Sequence, residues 1–591
     1  MTALDGLLLD NNTLSGVIPQ EIHHLHNLTV LDLSSNKLSG TLPPTIFNMS
    51  SLAWIDLSSN TLSGALPSEI GNKKAVLEFL SLENNALTGT IPREIGNVEA
   101  LQYLYLGNNG LTGVIPQEIH HLHNLIALGL SLNKLSGTLP PTIFNMSSLA
   151  WIDLSSNTLS GALPSEIGNM KALSTLLLEN NALTGTIPSS ICNLTSLGFL
   201  VLSNNTLEGT IPQCFGNLSK SLLIFHLNVN QFSGLIPSSF SKGCGLVSIN
   251  LNGNKLQGPL PKSLINCGSL RGLDVGNNRI QDEFPFWMDG LPQLRVLVLR
   301  SNKFYGNMSI PSQTKIPFHN LQVLDISQNR FVGSLPQGYF KNFRAMIEVN
   351  ETSLSTNDTR FKDYVEMRLT LKGLDQLLQR LLSAFTTIDL SSNRFSGSIP
   401  HSIGNLKILK YLNLSHNNLI GNIPSSLGNL SELESLDLSV NKLDGEIPSE
   451  LTGLTFLAKL NLSMNNFVGQ IPQSKQFSTF ENDSYVGNWR LCGVPLTRKC
   501  NDENRHQMQP EEDDDEEDEF GFIDGFGWRS VVMGYGSGFV VGIGIGYIII
   551  RNGRPRWLVE FFFGIGYNNN KKKKKKKRRS RATPTPTRRR T

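Results

Sequence analysis

Residues 149–172 read LAWIDLSSNTLSGALPSEIGNMKA, and the same 24-residue wording recurs along most of the chain. Aligned on the asparagine of LxLxxN, copies fall at Asn12, Asn36, Asn60, Asn85, Asn109, Asn133, Asn157, Asn181 and Asn205. The series runs on through Asn230, Asn254, Asn278, Asn302 and Asn329 and, after a gap, through Asn393, Asn417, Asn441 and Asn465, eighteen copies in all. A fixed period of this length is the signature of an array in which each unit stacks on the next.

Within one copy, Ile152 and Leu154 alternate with Trp151, Asp153 and Ser155. The spacing predicts a short strand with its apolar side inward. Leu149, Leu159, Leu163 and Ile167 complete the apolar set as the chain turns back. Asn157 stands where the backbone leaves the strand, and its amide can bond the main chain of the turn. Removing such a buried partner costs roughly 1–3 kcal/mol, so the asparagine column reads as structural. Gly161 permits the bend, Pro164 fixes it, and the polar segment beyond returns over the convex side. No copy can bury its own apolar face, so stability comes from stacking. At about 4.8 Å per strand the copies make a curved rod on the order of 85 Å long. The expected fold class is therefore α/β, a curved leucine-rich-repeat solenoid of 24-residue period, and with the span read below it includes one transmembrane helix; the resemblance given below makes the repeat the plant-specific type.

The net charge of +3 over 591 residues hides a segregation of opposite charges near the C-terminus. Asn-x-Ser/Thr acceptors begin at Asn11, Asn27, Asn48, Asn145, Asn193, Asn204, Asn217, Asn307, Asn350, Asn357, Asn413, Asn429, Asn461 and Asn482. Several arise from the repeat wording itself; together with a membrane span they favour the secretory route and N-glycosylation. The chain opens as MTALDGLLLDNNTLSG, already inside a repeat, with no secretory leader and no module covering the first apolar turn. The natural start is expected upstream. The block from Gly16 to Asn72 returns with few changes from Gly113 to Asn169, a duplication of four repeats. It carries His23, His24, His26 and His120, His121, His123 onto the return segment, where a solvated face is a better reading than a metal site.

Cys192 and Cys214, like Cys244 and Cys267, occupy nearly equivalent positions on adjacent turns. That separation suits a disulfide; buried free thiols are the alternative reading. Cys492 and Cys500 follow the last repeat and read as the bridge of a C-terminal cap.

Outward strand positions form the concave surface, which suits an elongated ligand. Exposed aromatic and basic side chains there are the natural anchors, and Trp54, Tyr103, Tyr105, Trp151, His226 and Arg300 are the expected ligand contacts. Asn413 and Asn461 lie on the same surface, so glycans there would push ligand contact earlier, between Trp54 and Arg300. Among the other outward residues is a column of aspartates, Asp32, Asp56, Asp153, Asp274, Asp325, Asp389 and Asp437, which is mostly repeat wording.

Residues 1–336 hold fourteen repeats without an N-terminal cap, 337–384 form an island insertion, and 385–473 hold the last four repeats. In the island YVEMRLTL alternates like a strand, and LDQLLQRLL reads as a short helix. Residues 474–509 form the C-terminal cap and 510–530 an acidic juxtamembrane stalk, with Glu511 to Glu519 uniformly charged. Residues 531–550 carry no charge and are long enough for one membrane helix. The basic tail 551–591, with KKKKKKKRRSR from Lys571, places this side in the cytoplasm and suits anionic lipid headgroups. Gly534, Gly538, Gly542 and Gly546 recur every four residues and let a partner helix approach closely.

The wording LxxLxLxxNxLxGxIP, the island before four final repeats, and the closing LCGVPLTRKC resemble plant leucine-rich-repeat receptor-like proteins, nearest to the fungal-resistance and elicitor receptors. The resemblance implies a kinase-less plasma-membrane receptor, single-pass type I with extracellular repeats, that recognises a pathogen-derived or endogenous peptide or protein ligand. It also implies an adaptor receptor kinase met through the transmembrane helix and a coreceptor kinase near the island and last repeats. In that family the island often carries a Lys followed six residues on by Tyr; here Lys372 is followed by Leu378. The tail holds no kinase motifs, and the repeats hold no HExxH, nucleophile elbow or phosphate loop, so no enzymatic activity, cofactor, metal or nucleic-acid partner is expected. The rivals are a developmental peptide receptor, a wall-associated inhibitor of a microbial pectin-degrading enzyme, and a truncated decoy.

Overall fold

The computed structural model describes residues 4–72, 76–308, 317–348, 364–371, 374–380, 385–474 and 476–500. All lie in one compact unit that ends at Asn504. The predicted stalk, span and basic tail, with Gly534, Gly538, Gly542 and Gly546, lie outside the described residues. Among those described, no helix is long and apolar enough to cross a membrane.

Each repeat contributes one three-residue strand to an 18-stranded parallel sheet, from Gly6–Leu8 to Lys459–Asn461. Neighbouring turns pair in strict register: Trp151, Ile152 and Asp153 face Thr175, Leu176 and Leu177. The central residue of each strand points into one continuous core of stacked leucine, isoleucine and phenylalanine side chains, and Leu31, Ile55, Leu80, Leu104 and Leu128 are all fully buried. Because every strand must offer an apolar residue at the same height, the periodicity of the sequence becomes the register of the sheet.

The asparagine column performs the expected task. Asn157 Nδ2 donates to the carbonyls of Leu130, Leu154 and Ser155 at 3.0, 3.2 and 3.2 Å, while its Oδ1 accepts from the Leu135 amide at 2.9 Å. One side chain thus ties its own turn to the preceding one. The residue before each of these asparagines has a left-handed backbone, from Asn11 with φ 50° to Met464 with φ 56°. At Val440, φ 53°, a β-branched side chain occupies this region and is partly solvent-exposed. Asparagine tolerates that conformation and valine does not. Val440→Asn is therefore expected to stabilise the last repeats by about 1 kcal/mol. Thermal unfolding would check it, with Val440→Ala as the control; an unchanged midpoint in Val440→Asn would remove the strain argument.

The segment after the asparagine differs from the expected plain bend. Thr158–Ala162 is itself a strand, and its equivalents form further parallel sheets of eight, four and five strands. Bridges at Thr186–Glu208, Glu283–Tyr305 and Glu446–Val468 connect or extend these ladders. Gly161 sits inside this strand with φ 81°, and a β-carbon there would meet Thr138 Cγ2 of the preceding turn at 2.8 Å. Stacking at strand spacing leaves backbone donors and acceptors on this flank facing each other, so they pair. Short 3-10 helices such as Ser165–Asn169 then carry the chain back.

The island does not interrupt the core. Val323–Asp325 pairs directly with Thr387–Asp389, and Asn393 Nδ2 reaches across to the Ile326 carbonyl at 3.0 Å. Tyr364–Leu371 is a strand as expected, but the predicted helix over LDQLLQRLL is instead an antiparallel strand, Leu374–Arg380. Its leucines, Leu374, Leu377, Leu378, Leu381 and Leu382, follow the helical period and not the alternation of a strand. The adjacent strand decides, because it supplies backbone partners from Tyr364–Arg380 to Leu371–Leu374 that an isolated short helix would lack.

All three cysteine pairs are bridged, Cys192–Cys214, Cys244–Cys267 and Cys492–Cys500. The cap holds one more rung than the repeat wording shows. Asn488 Nδ2 donates to the carbonyls of Leu462 and Tyr485, its Oδ1 accepts from Phe467, and Arg490–Cys492 pairs with Val468–Gln470. Tyr485 fills the apolar position and Gly487 the left-handed one. The array thus ends on a turn that imitates a repeat.

Candidate functional site: the outward strand face

The outward residues of the 18-stranded sheet fall into two regions. In the first, Trp54 stacks flat on Phe79 with ring centroids 3.7 Å apart and planes 3° from parallel. Phe79 then meets Tyr103 at 6.0 Å and Tyr105 at 5.8 Å, and the Tyr105 ring stands edge-on to Trp151 at 5.8 Å. Consecutive strands create this cluster, since residues one turn apart stand side by side on the sheet. Phe79, which joins Trp54 to the tyrosines, is as much part of the site as the four aromatics predicted. Trp54 is 39% exposed.

Glycine shapes the middle of this region. A β-carbon on Gly129 would meet Tyr105 Cδ1 at 2.8 Å, Trp151 Cζ3 at 3.2 Å and Glu83 Oε1 at 3.5 Å, so the missing side chain lets two rings and a carboxylate converge. Burial, then the charges of Asp153 and Asp56, pushes the Glu83 carboxyl above its ordinary range. Burial and the Glu83 charge likewise raise the Tyr105 phenol. Glu83 was not among the predicted contacts. Its outward position in the strand phase, beside a glycine one turn on, was the available signal.

In the second region the island strand Tyr364–Leu371 lies on the sheet. Its Met367 and Leu369 pack with Val296, Val298 and Val323, with Phe385 and Tyr411 at the edge. Two predicted contacts are corrected here. His226 is fully buried, its Nε2 2.8 Å from Ser248 Oγ, and burial lowers it to about 3, so the ring is neutral at physiological pH. Arg300 is 8% exposed, with Nε 4.0 Å from Asp325 Oδ2. Both side chains are buried in the structure, whereas a ligand contact on the strand face needs an exposed one.

Buried carboxylates accompany Arg300. Burial raises Asp325, opposed by Arg300, and burial with the neighbouring Asp325 charge raises Asp389 to about 7. A folded-state value above the unfolded one means that the native state holds the proton longer. The stability this confers is present below the unfolded value and is lost as pH rises through about 7. The unfolding temperature is therefore expected to fall as pH rises from 3.8 towards about 7 and to level off above it, and Asp389→Ser should flatten that slope. Serine is preferred to asparagine, which would create an Asn-Leu-Ser acceptor. Equal slopes in the two proteins would contradict the assignment.

Of the glycan acceptors, Asn11, Asn27, Asn48, Asn145, Asn193, Asn204, Asn217, Asn307, Asn429 and Asn482 are exposed, while Asn350 and Asn357 lie outside the described residues. Asn413 and Asn461 are half-buried, and their amide nitrogens donate to Asp389 and Asp437 at 3.2 and 3.4 Å. Among the described residues no three His, Cys, Asp or Glu side chains are grouped to hold a metal ion.

A parallel strand ladder, an asparagine ladder and an outward aromatic face define a leucine-rich-repeat protein. The leucine-rich-repeat family models match residues 2–62, 244–304 and 383–443, and in a shorter form 76–98 and 320–342. The leucine-rich-repeat domain model of an EGF-like domain-containing protein, ComC, matches 94–207. Within that class the chain belongs to the plant leucine-rich-repeat receptor-like proteins. Receptor like protein 24 of Arabidopsis thaliana is 50% identical over 286 residues, 46% of this chain and 32% of that protein. Receptor like protein 28 of the same plant is 47% identical over 287 residues, 46% of this chain and 35% of the relative. The matched stretch thus spans about one third of the length of these relatives.

Among solved structures, the plant peptide hormone receptor RGFR1 in complex with RGF2 aligns with TM-score 0.68 at 29% identity, covering 83% of this chain and 79% of that one. The Arabidopsis receptor kinase HAESA, in complex with the peptide hormone IDA and the co-receptor SERK1, aligns with TM-score 0.57 at 32% identity, covering 84% and 88%. None of the matching family models describes a catalytic domain.

Proposed function

We propose that this chain is a cell-surface receptor-like protein of plant defence, recognising an extracellular, pathogen-derived peptide or protein and signalling through associated receptor kinases. The observation that carries the reading is the division of the strand face: Trp54, Phe79, Tyr103, Tyr105 and Trp151 are left open, while the island covers the later strands. Partly exposed aromatics held in mutual contact on a rigid sheet are efficient interface anchors, because little side-chain freedom is lost on binding.

In this reading the repeats are extracellular and carry glycans on their exposed acceptors, and residues 531–550 cross the plasma membrane once. The glycine face from Gly534 to Gly546 meets an adaptor receptor kinase, a coreceptor kinase docks near the island and last repeats, and the basic tail lies on anionic lipid. The neighbours that bind peptide hormones favour a second reading, in which the ligand is an endogenous developmental peptide.

The test uses the full tagged chain in leaf cells. Enzymatic removal of N-glycans is expected to shift its mobility downward. Microbial elicitor fractions are expected to trigger association with a receptor kinase that Trp54→Ala with Trp151→Ala abolishes. Association driven by endogenous peptides alone would favour the second reading, and an unshifted band would remove the cell-surface role.

A further inference from the structure

The open face has a charge pattern as well as an aromatic one. Between Val30 and Ser203 the outward strand positions hold Asp32, Asp56, Glu83, Asp153 and Glu179 and no lysine or arginine. Asp153 Oδ1 is engaged by the Ser155 amide and hydroxyl, and Asp56 Oδ1 by the Ser58 amide. Among the described residues no donor is recorded on the Glu83 carboxylate, although it is half-buried and converges with Tyr105 and Trp151 above Gly129. A half-buried carboxylate beside two aromatic rings, with the charges of Asp56 and Asp153 nearby, is an arrangement short of one cation.

We infer that the Glu83–Tyr105–Gly129–Trp151 cluster on the strand face binds the guanidinium of an arginine side chain on an extracellular peptide. The choice of guanidinium over ammonium follows from the shape of the surroundings. A planar, weakly hydrated cation can lie against the Tyr105 or Trp151 ring while its N–H fork meets the carboxylate of Glu83. An ammonium is compact, strongly hydrated and lacks the stacking face. Asp56 and Asp153 lend long-range attraction without competing for the same hydrogen bonds. The inference rests on the strand face being the ligand surface, as proposed above, and it names the class of ligand group that surface takes.

The probe is acetyl-arginine methylamide, followed by saturation-transfer NMR on the full chain in detergent, a format suited to weak ligands and a large receptor. Saturable binding is expected, with the neutral citrulline analogue and the lysine analogue each weaker by roughly tenfold. Glu83→Gln is expected to weaken arginine binding about tenfold. Gly129→Ala, whose new methyl would push Tyr105 and Trp151 apart, should weaken it independently. Glu208→Gln, on the flanking sheet, should leave it unchanged. Citrulline or lysine binding as well as arginine, or a Glu83→Gln protein indistinguishable from the parent, would overturn the assignment. A chain that binds arginine here but answers no extracellular ligand would keep this inference and sink the receptor role. An elicitor response untouched by Glu83→Gln would do the reverse.

Discussion

Replacing Asn157 by alanine is expected to open the array locally around residues 130–160, at a cost of at least about 3 kcal/mol. The side chain satisfies three carbonyls, those of Leu130, Leu154 and Ser155, and one amide, that of Leu135. Asn157, Leu154 and Leu159 are buried, so these backbone groups lie away from bulk water. Because a stacked array unfolds by neighbouring units rather than as one body, the loss should be read locally. Hydrogen exchange followed by mass spectrometry should show faster exchange across Leu130 to Ser160, with the last repeats protected as before. Unchanged protection in that window would mean that the asparagine ladder contributes little, and the physical account of the repeat would fail.

Phe331→Ala should cost about 3–5 kcal/mol, placed at a joint that matters more than its neighbours. Phe331 is fully buried and stacks between Phe304 and Phe395, each 6.2 Å away. Its amide donates to Asn393 Oδ1 across a sequence separation of 62 residues. It therefore helps hold together two turns that the island separates in the chain. Limited proteolysis is the suitable measurement, with cleavage expected within the insertion at temperatures where the parent resists. If cleavage sites and rates match those of the parent, the ladder across the island does not depend on this stack.

How much of this was legible in advance follows from which forces are local. The strand phase, the inward leucines, the asparagine rungs and the cysteine pairs were all readable, because in a stacked array one repeat period separates residues that touch. The island hairpin was half readable: Tyr364–Leu371 alternates, whereas Leu374–Arg380 has spacing compatible with a helix and becomes a strand only because a partner lies beside it. The rung at Asn488 is not legible from periodicity because SYVGN does not repeat the leucine wording, although Tyr485 and Gly487 meet the same physical needs.

The solenoid, its register and the aromatic column from Trp54 to Trp151 follow from the order of residues alone, since each depends on a period and on side-chain polarity. Which part of the outward face is available depends on packing between distant segments. His226 and Arg300 occupy the same outward phase as Tyr105 and Glu83, and no periodic argument separates them. What separates them is tertiary burial: His226 and Arg300 are buried, and Met367 and Leu369 of the island close over Val296, Val298 and Val323, while Tyr105, Trp151 and Glu83 converge over the glycine at position 129.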